Sequence, residues 1–64
     1  MQILLRLPEV RARTGLSRSS IYAFIARGDF PAPVSLGARA VAWPSDAISA
    51  WIAARVASAR RGAQ

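Results

Sequence analysis

A chain of 64 residues with no cysteine and no histidine must fold around one apolar core, without disulfide bonds or the usual zinc sites. Hydrophobic residues make up 53% of it, too many for a disordered segment, and no apolar run is long enough to span a membrane. Nine arginines against three acidic residues give a net charge of +6, which favours a polyanionic partner: DNA, RNA or an anionic membrane surface.

The first predicted elements are an extended segment and a short helix. Residues 3–7 (ILLRL) form an apolar segment that we expect to be extended and packed under the helices. A helix is predicted over 8–14, because Pro8 suits the first helical position and an acidic residue follows in the first turn. Val10 faces inward, and Gly15 provides the turn into the next helix.

The central predicted helix, over 17–27, carries signals at both ends. Ser17 is placed at the N-cap, where its hydroxyl can accept a hydrogen bond from a first-turn N–H group. Leu16 and Ile21 are spaced to form a hydrophobic staple. Gly28 follows the last helical residue, at a position where glycine often ends a helix in the left-handed conformation.

The two faces of this helix differ in kind. Apolar residues at helical spacing cluster on one side, which must face a core. The opposite side is small and polar, as suits a surface that approaches a groove closely and forms hydrogen bonds with it. The inner residues are Ile21, Phe24 and Ile25; the outer ones are Ser19, Ala23 and Ala26, flanked by Tyr22 and Arg27, with Arg18 at the N-terminal end.

Two short helices joined by a glycine-containing turn are typical of a helix-turn-helix, whose second helix enters the DNA major groove. The N-terminus of that helix also offers unpaired N–H groups and a partial positive charge, both of which favour phosphate. The alternative interpretation is an ordinary surface helix that carries two solvated arginines.

A β-hairpin is predicted after a rigid loop. Two prolines in the loop 29–33 exclude helix, and apolar residues then alternate over 34–36 and 41–43, around a glycine-containing turn. Because only two strands are predicted, the hairpin must pack on the helices. Arg39 lies at its tip, where a winged helix-turn-helix contacts the DNA backbone or minor groove; the alternative is a solvated turn arginine.

The last predicted helix begins at Pro44 and ends near residue 57. An inward stripe at helical spacing consists of Ile48, Trp51, Ile52, Arg55 and Val56. We interpret Trp43 and Trp51 as core anchors rather than base-stacking platforms, because both occupy inward positions. Residues 58–64 lose the apolar periodicity, and we expect this basic tail to fray.

The residue types present do not indicate an enzyme active site. Without histidine or cysteine, and with three carboxylates, the chain cannot assemble a nucleophile–base pair or a metal cluster. No phosphate-binding loop or dinucleotide fingerprint is present. We therefore expect a soluble cytoplasmic protein that is not an enzyme and needs no cofactor or metal.

Taken together, the motifs resemble the AlpA family, small phage and prophage regulators related to excisionases and to the DNA-binding domain of MerR-type proteins. The resemblance covers nearly all of residues 3–56, and its motifs occur in the expected order and at the expected spacing. The segments that carry it are RLPEV at 6–10, TGLSRSSIY at 14–22, GDFPAPV at 28–34, LGAR at 36–39, VAW at 41–43 and Trp51.

The resemblance implies a mostly α fold with a small β-hairpin, a winged helix-turn-helix over 1–57 followed by the tail 58–64. It implies a sequence-specific DNA-binding transcriptional regulator of phage or mobile-element genes, with the recognition helix 17–27 in the major groove and the wing 34–43 on the backbone or minor groove. One departure is Ala23, where the family commonly has a basic residue. The implied DNA-binding residues are Ser17, Arg18, Ser19, Ser20, Tyr22, Arg27 and Arg39.

Two other functions stay open at this point. An excisionase would use the same surface to bend attachment-site DNA with an integrase. A protein-binding adaptor would use the fold without DNA, but it should expose an apolar stripe, and the outer face of the central helix has none. The expected partner is double-stranded DNA and no membrane is expected; integrase and RNA polymerase are the candidate protein partners. We expect a monomer, or a weak oligomer that assembles on DNA.

Overall fold

The computed structural model describes residues 3–62, which form three helices and a small antiparallel sheet. The strand order in the sheet is β1-β3-β2. This arrangement confirms the predicted winged helix-turn-helix. The elements are β1 (Leu4–Leu5), α1 (Leu7–Thr14), α2 (Arg18–Ala26), β2 (Val34–Ser35), β3 (Val41–Pro44) and α3 (Ser45–Gly62).

The sheet contains a third strand, so the prediction of only two strands was wrong. Leu5 of the N-terminal segment pairs with Trp43, while Val34 pairs with Ala42 on the other side of β3. Ser45 fixes the new strand, because its hydroxyl accepts a hydrogen bond from the Ile3 N–H at 2.9 Å and its own N–H donates to the Ile3 carbonyl at 2.7 Å. β3 is therefore a central strand with a partner on each edge.

The predicted turn between α1 and α2 is confirmed. Gly15 has a φ of +73°, and its N–H donates to the Arg11 carbonyl at 2.8 Å. The Thr14 hydroxyl donates to the Val10 carbonyl at 2.8 Å and accepts from the Leu16 N–H at 3.3 Å. The helix α1 begins at Leu7, one residue earlier than predicted.

Both tryptophans hold the loop between α2 and β2. The Trp43 ring is fully buried, and its indole N–H donates to the Pro31 carbonyl at 2.9 Å. The half-buried Trp51 donates to the Asp29 carbonyl at 2.7 Å. Phe30, between these two carbonyls, is buried with its ring centre 4.9 Å from that of Trp51. Trp43 and Trp51 are thus core anchors, as predicted; the other buried members of the core are Leu5, Val10, Ile21 and Ile48.

The helix α3 differs from the prediction at both ends. Pro44 lies in β3, and the helix begins at Ser45. At the other end it continues to Gly62 instead of ending near residue 57, because alanine and arginine favour helix even where apolar periodicity is lost. The expected frayed tail is therefore helical up to Gly62, and its last two residues lie outside the described residues. Residues 53–61 are all exposed, so the prediction that Arg55 and Val56 belong to the inward stripe was wrong, and this half of α3 extends beyond the core.

Candidate nucleic-acid interface

The N-terminus of α2 is capped as its sequence predicts. Ser17 is extended, and its hydroxyl oxygen accepts from the Ser20 N–H at 3.2 Å. The Ser17 hydroxyl in turn donates to the Ser20 hydroxyl at 3.1 Å. Both side chains therefore hold the first turn in place, and the neighbouring N–H groups of that turn are the donors available to an anion.

The C-terminus of α2 ends in a Schellman motif. Gly28 has a φ of +79°, and its N–H donates to the Ile25 carbonyl at 3.0 Å. The Asp29 N–H donates to the Phe24 carbonyl at 2.8 Å. Both ends of α2 are therefore capped, so the residues that make up its outer face are set by where the helix begins and ends.

The outer face of α2 is free of the chain's own core. Ser19, Ala23 and Ala26 are exposed, and Tyr22 is 38% exposed, whereas Ile21 is fully buried on the opposite side. Small side chains at the centre of the face allow the helix backbone to approach a groove closely. The predicted division of α2 into an inner and an outer face is confirmed.

Three predicted site residues come together on one flank of this face. Arg18, Ser19 and Tyr22 line a common cleft of about 280 Å³. The guanidinium carbon of Arg18 lies 5.5 Å from the centre of the Tyr22 ring, at the i, i+4 spacing of neighbours on a helix. The Tyr22 ring meets the Trp43 ring edge-on, with centres 6.4 Å apart. Tyr22 therefore connects α2 to β3.

Arg27 lies on the other flank. Its guanidinium carbon is 4.7 Å from the centre of the Phe24 ring, and its Nε is 3.6 Å from the Asp29 carboxylate. Both groups of the ion pair are exposed, so the pair is weak. The structure does not bring Arg27 into the cleft that Arg18 lines.

Arg39 is exposed near the tip of the hairpin, as predicted. The turn is closed by a hydrogen bond from the Leu36 N–H to the Ala40 carbonyl at 2.7 Å, and the Ser35 hydroxyl donates to the Gly37 carbonyl at 3.1 Å. The strand β3 of this hairpin packs beside α2, because its Trp43 ring contacts Tyr22.

Arg11 was not among the predicted site residues, yet it lies beside one of them. It lines, with Ser17, an open cleft of about 520 Å³ between α1 and the start of α2. The signal in the sequence was its place on the outer side of α1, one turn before Gly15. In helix-turn-helix proteins the first helix crosses the DNA backbone, which makes an arginine at this position a candidate for phosphate contact.

The stretch of chain that the structure covers contains no cluster of acidic, histidine or cysteine side chains able to hold a metal ion. Within the same stretch, no helix combines the length and the apolar character needed to cross a bilayer.

Comparison with known proteins agrees with this geometry. The family model described as prophage CP4-57 regulatory protein (AlpA) matches residues 3–56. The chain belongs to the AlpA family. In this AlpA-type fold, the second helix of the helix-turn-helix has an exposed outer face and lies next to a hairpin. DNA-binding regulators have this arrangement.

A relative of this AlpA-family chain occurs in enterobacteria phage P4. That protein, described as uncharacterized protein ORF88, is 52% identical over 58 residues, which are 91% of this chain and 66% of the phage protein. The chain therefore matches just under two thirds of that relative's length.

Proposed function

We propose that this chain is a sequence-specific, DNA-binding transcriptional regulator of phage or mobile-element genes and that it inserts α2 into the major groove. The observation that carries the proposal is the outer face of α2, where small exposed residues lie between Arg18 on one flank and Arg27 on the other. A net charge of +6 on so small a body supplies the attraction to phosphate.

Each side chain in this proposal has a separate task. Arg18 binds a guanine edge or a phosphate, since its guanidinium offers a two-pronged donor set. Ser19 and the Tyr22 hydroxyl bind base edges or phosphates in the same cleft. Arg39 binds the backbone or minor groove next to the major-groove site. Arg11 binds a phosphate where α1 crosses the backbone.

Ser17 and Ser20 act through the helix start that they hold in place, and Arg27 binds a phosphate on the far flank. Ala23 supplies no cationic contact, so we expect a single chain to bind with modest affinity and neighbouring chains to bind cooperatively. The regulatory role requires no catalytic step.

The direct test is binding to mixed-sequence duplex DNA and to operator candidates from footprinting of the chain's own genomic neighbourhood. Neutralising about four to six phosphates should give a slope near −4 to −5 in a log–log plot of affinity against salt. Arg18→Ala should cost about 1–3 kcal/mol at a site where Arg18 reads guanine, and should relax specificity at that base. Arg39→Ala should weaken binding to all sequences by similar factors.

Arg13→Ala is a matched control, because Arg13 pairs with Glu9 at 3.1 Å on α1 and lies away from the outer face of α2. If Arg18→Ala and Arg39→Ala bind every duplex as tightly as Arg13→Ala does, while all three remain folded, the assigned surface is wrong. Footprinting also separates regulation from excision, since protection confined to attachment repeats beside an integrase gene would favour the excisionase.

A further inference from the structure

An apolar groove lies between the α1–α2 turn and α3. It is separate from the cleft that Arg18, Ser19 and Tyr22 line, and of the proposed DNA contacts only Arg27 reaches its floor, at the Phe24 ring. We name it the α1–α3 groove. Its volume is about 310 Å³. Its floor consists of Leu16, Phe24, Ile52 and Val56, and its rim carries Arg13 and Arg55.

The fold leaves the outer end of this groove uncovered. Ile52 is half-buried against the core, but Val56, one helical turn further along the same side of α3, is 44% exposed. No other element of the described chain extends along the projecting half of α3, where every residue from 53 to 61 is exposed. The apolar stripe of α3 therefore continues past the core that it packs on.

The rim of the groove is cationic. The Arg55 guanidinium carbon lies 5.3 Å from the Phe24 ring centre and 5.1 Å from the Trp51 ring centre, and no carboxylate in residues 3–62 forms an ion pair with it. Arg13 uses its Nε–H for Glu9 but keeps further guanidinium N–H donors. The sequence has no acidic residue after Asp46, so α3 does not neutralise this rim.

We propose that the α1–α3 groove docks an acidic amphipathic segment of a partner protein. Apolar side chains of that segment cover Ile52 and Val56, and its carboxylates pair with Arg55 and Arg13. This is the usual way in which a hydrophobic groove takes an amphipathic helix, with charges at the rim selecting the partner. The inference goes beyond the proposed function, because it assigns a second, protein-binding surface.

Two other occupants fit the groove less well. A second copy of this chain would bring another α3 with arginines and no acidic residue after Asp46, so the two faces would repel each other. DNA would offer phosphates to Arg55 but nothing apolar to cover Val56. Phe24 lies about 140° around α2 from Ser19, so a protein segment and DNA would occupy different faces of α2. Arg27, whose guanidinium carbon is 4.7 Å from the Phe24 ring centre, lies at the boundary between these faces.

The test is a selection of random peptides of about 15 residues, long enough for four helical turns, on the full chain. Val56→Gln serves for counter-selection, because it makes the groove floor polar at an exposed helical position without changing the net charge. We expect enriched peptides with aspartate or glutamate beside apolar residues at helical spacing, and amide NMR shifts confined to the groove.

The recovered peptides should bind Val56→Gln and Arg55→Glu about tenfold more weakly than the parent chain, a larger loss than most interface residues give. Arg39→Glu, which makes the same charge change on the wing, should bind them as the parent does. DNA binding by Val56→Gln should be unchanged, so this test and that of the proposed function fail independently.

Several results would overturn the docking proposal. One is the absence of peptides that survive counter-selection. Another is an equal loss of peptide affinity in Arg39→Glu and Arg55→Glu, which would indicate charge attraction alone. Groove amide shifts on adding mixed-sequence duplex, or on raising the concentration of the chain alone, would instead assign the groove to DNA or to a second copy.

Discussion

The N-cap of α2 permits a test that separates helix stability from DNA contact at one residue. Ser17→Ala removes the acceptor for the Ser20 N–H, and the first turn of α2 has no acidic residue that could compensate. Loss of a serine cap costs about 1 kcal/mol. In a domain of this size, each kcal/mol lowers the melting temperature by about 4–8 °C. We therefore expect a drop of that order in Ser17→Ala.

Two further substitutions at this position distinguish the cap from the DNA contact. Asparagine is as good a cap as serine, so Ser17→Asn should melt close to the parent chain. Ser17→Asp restores the cap and adds a favourable charge at the positive end of the helix, so it should be at least as stable. The same carboxylate would repel a phosphate at the helix N-terminus, so Ser17→Asp should bind DNA more weakly than Ser17→Asn.

Thermal unfolding by circular dichroism and fluorescence anisotropy with a labelled mixed-sequence duplex at low salt give the two readouts. If Ser17→Asn is destabilised as much as Ser17→Ala, the side chain does not act as a cap. If Ser17→Asp and Ser17→Asn bind the duplex equally well, the N-terminus of α2 does not face phosphate, and the docking orientation has to be changed.

Three other predictions concern residues that support or orient α2. Trp43→Phe leaves the Pro31 carbonyl without its indole donor and should cost about 1–3 kcal/mol in urea unfolding, more than Trp51→Phe at its half-buried position. Gly15→Ala should cost about 1–2 kcal/mol from its φ of +73° alone, since no atom within 4 Å would meet the added Cβ. Tyr22→Phe should keep the ring contact with Trp43 and the melting temperature, but should weaken duplex binding in the same anisotropy assay.

Those parts of the fold that depend on neighbours in sequence were predictable. Both ends of α2 are set by local signals, the hydroxyl of Ser17 and the glycine at 28, and both are confirmed. The strand β1 was missed because Leu4 and Leu5 form no periodic pattern. Two residues become a strand only because β3 offers a free edge, and Ser45, more than forty positions away, binds Ile3.

In the candidate site, too, the features set by sequence neighbours were predictable and those set by tertiary contacts were not. The exposure of Ser19 and the inward position of Ile21 follow from helical spacing, and both were predicted. The direction of the Arg27 side chain was not predicted, because it depends on contacts with Phe24 on the inner face and with Asp29 in the next loop. The α1–α3 groove was also not predictable, since its floor comes from three separate elements that only the tertiary fold brings together.

The two flanking arginines of α2 are held in place by the core. Arg18 lies over Tyr22, whose ring meets Trp43, and Arg27 lies over Phe24, whose ring centre is 6.4 Å from that of Trp51. A guanidinium that already lies on a ring loses less side-chain freedom when it binds a phosphate, so in the proposed complex part of the entropy cost of DNA binding would be met during folding.

The tryptophans themselves are fixed by hydrogen bonds to the loop carbonyls of Pro31 and Asp29. The placement of each arginine is thus linked, through one ring, to a tryptophan and to the loop that follows the recognition helix. If the proposed surface binds DNA, a substitution in that loop should change DNA affinity without touching DNA, so stability and binding have to be measured together for every variant of this surface.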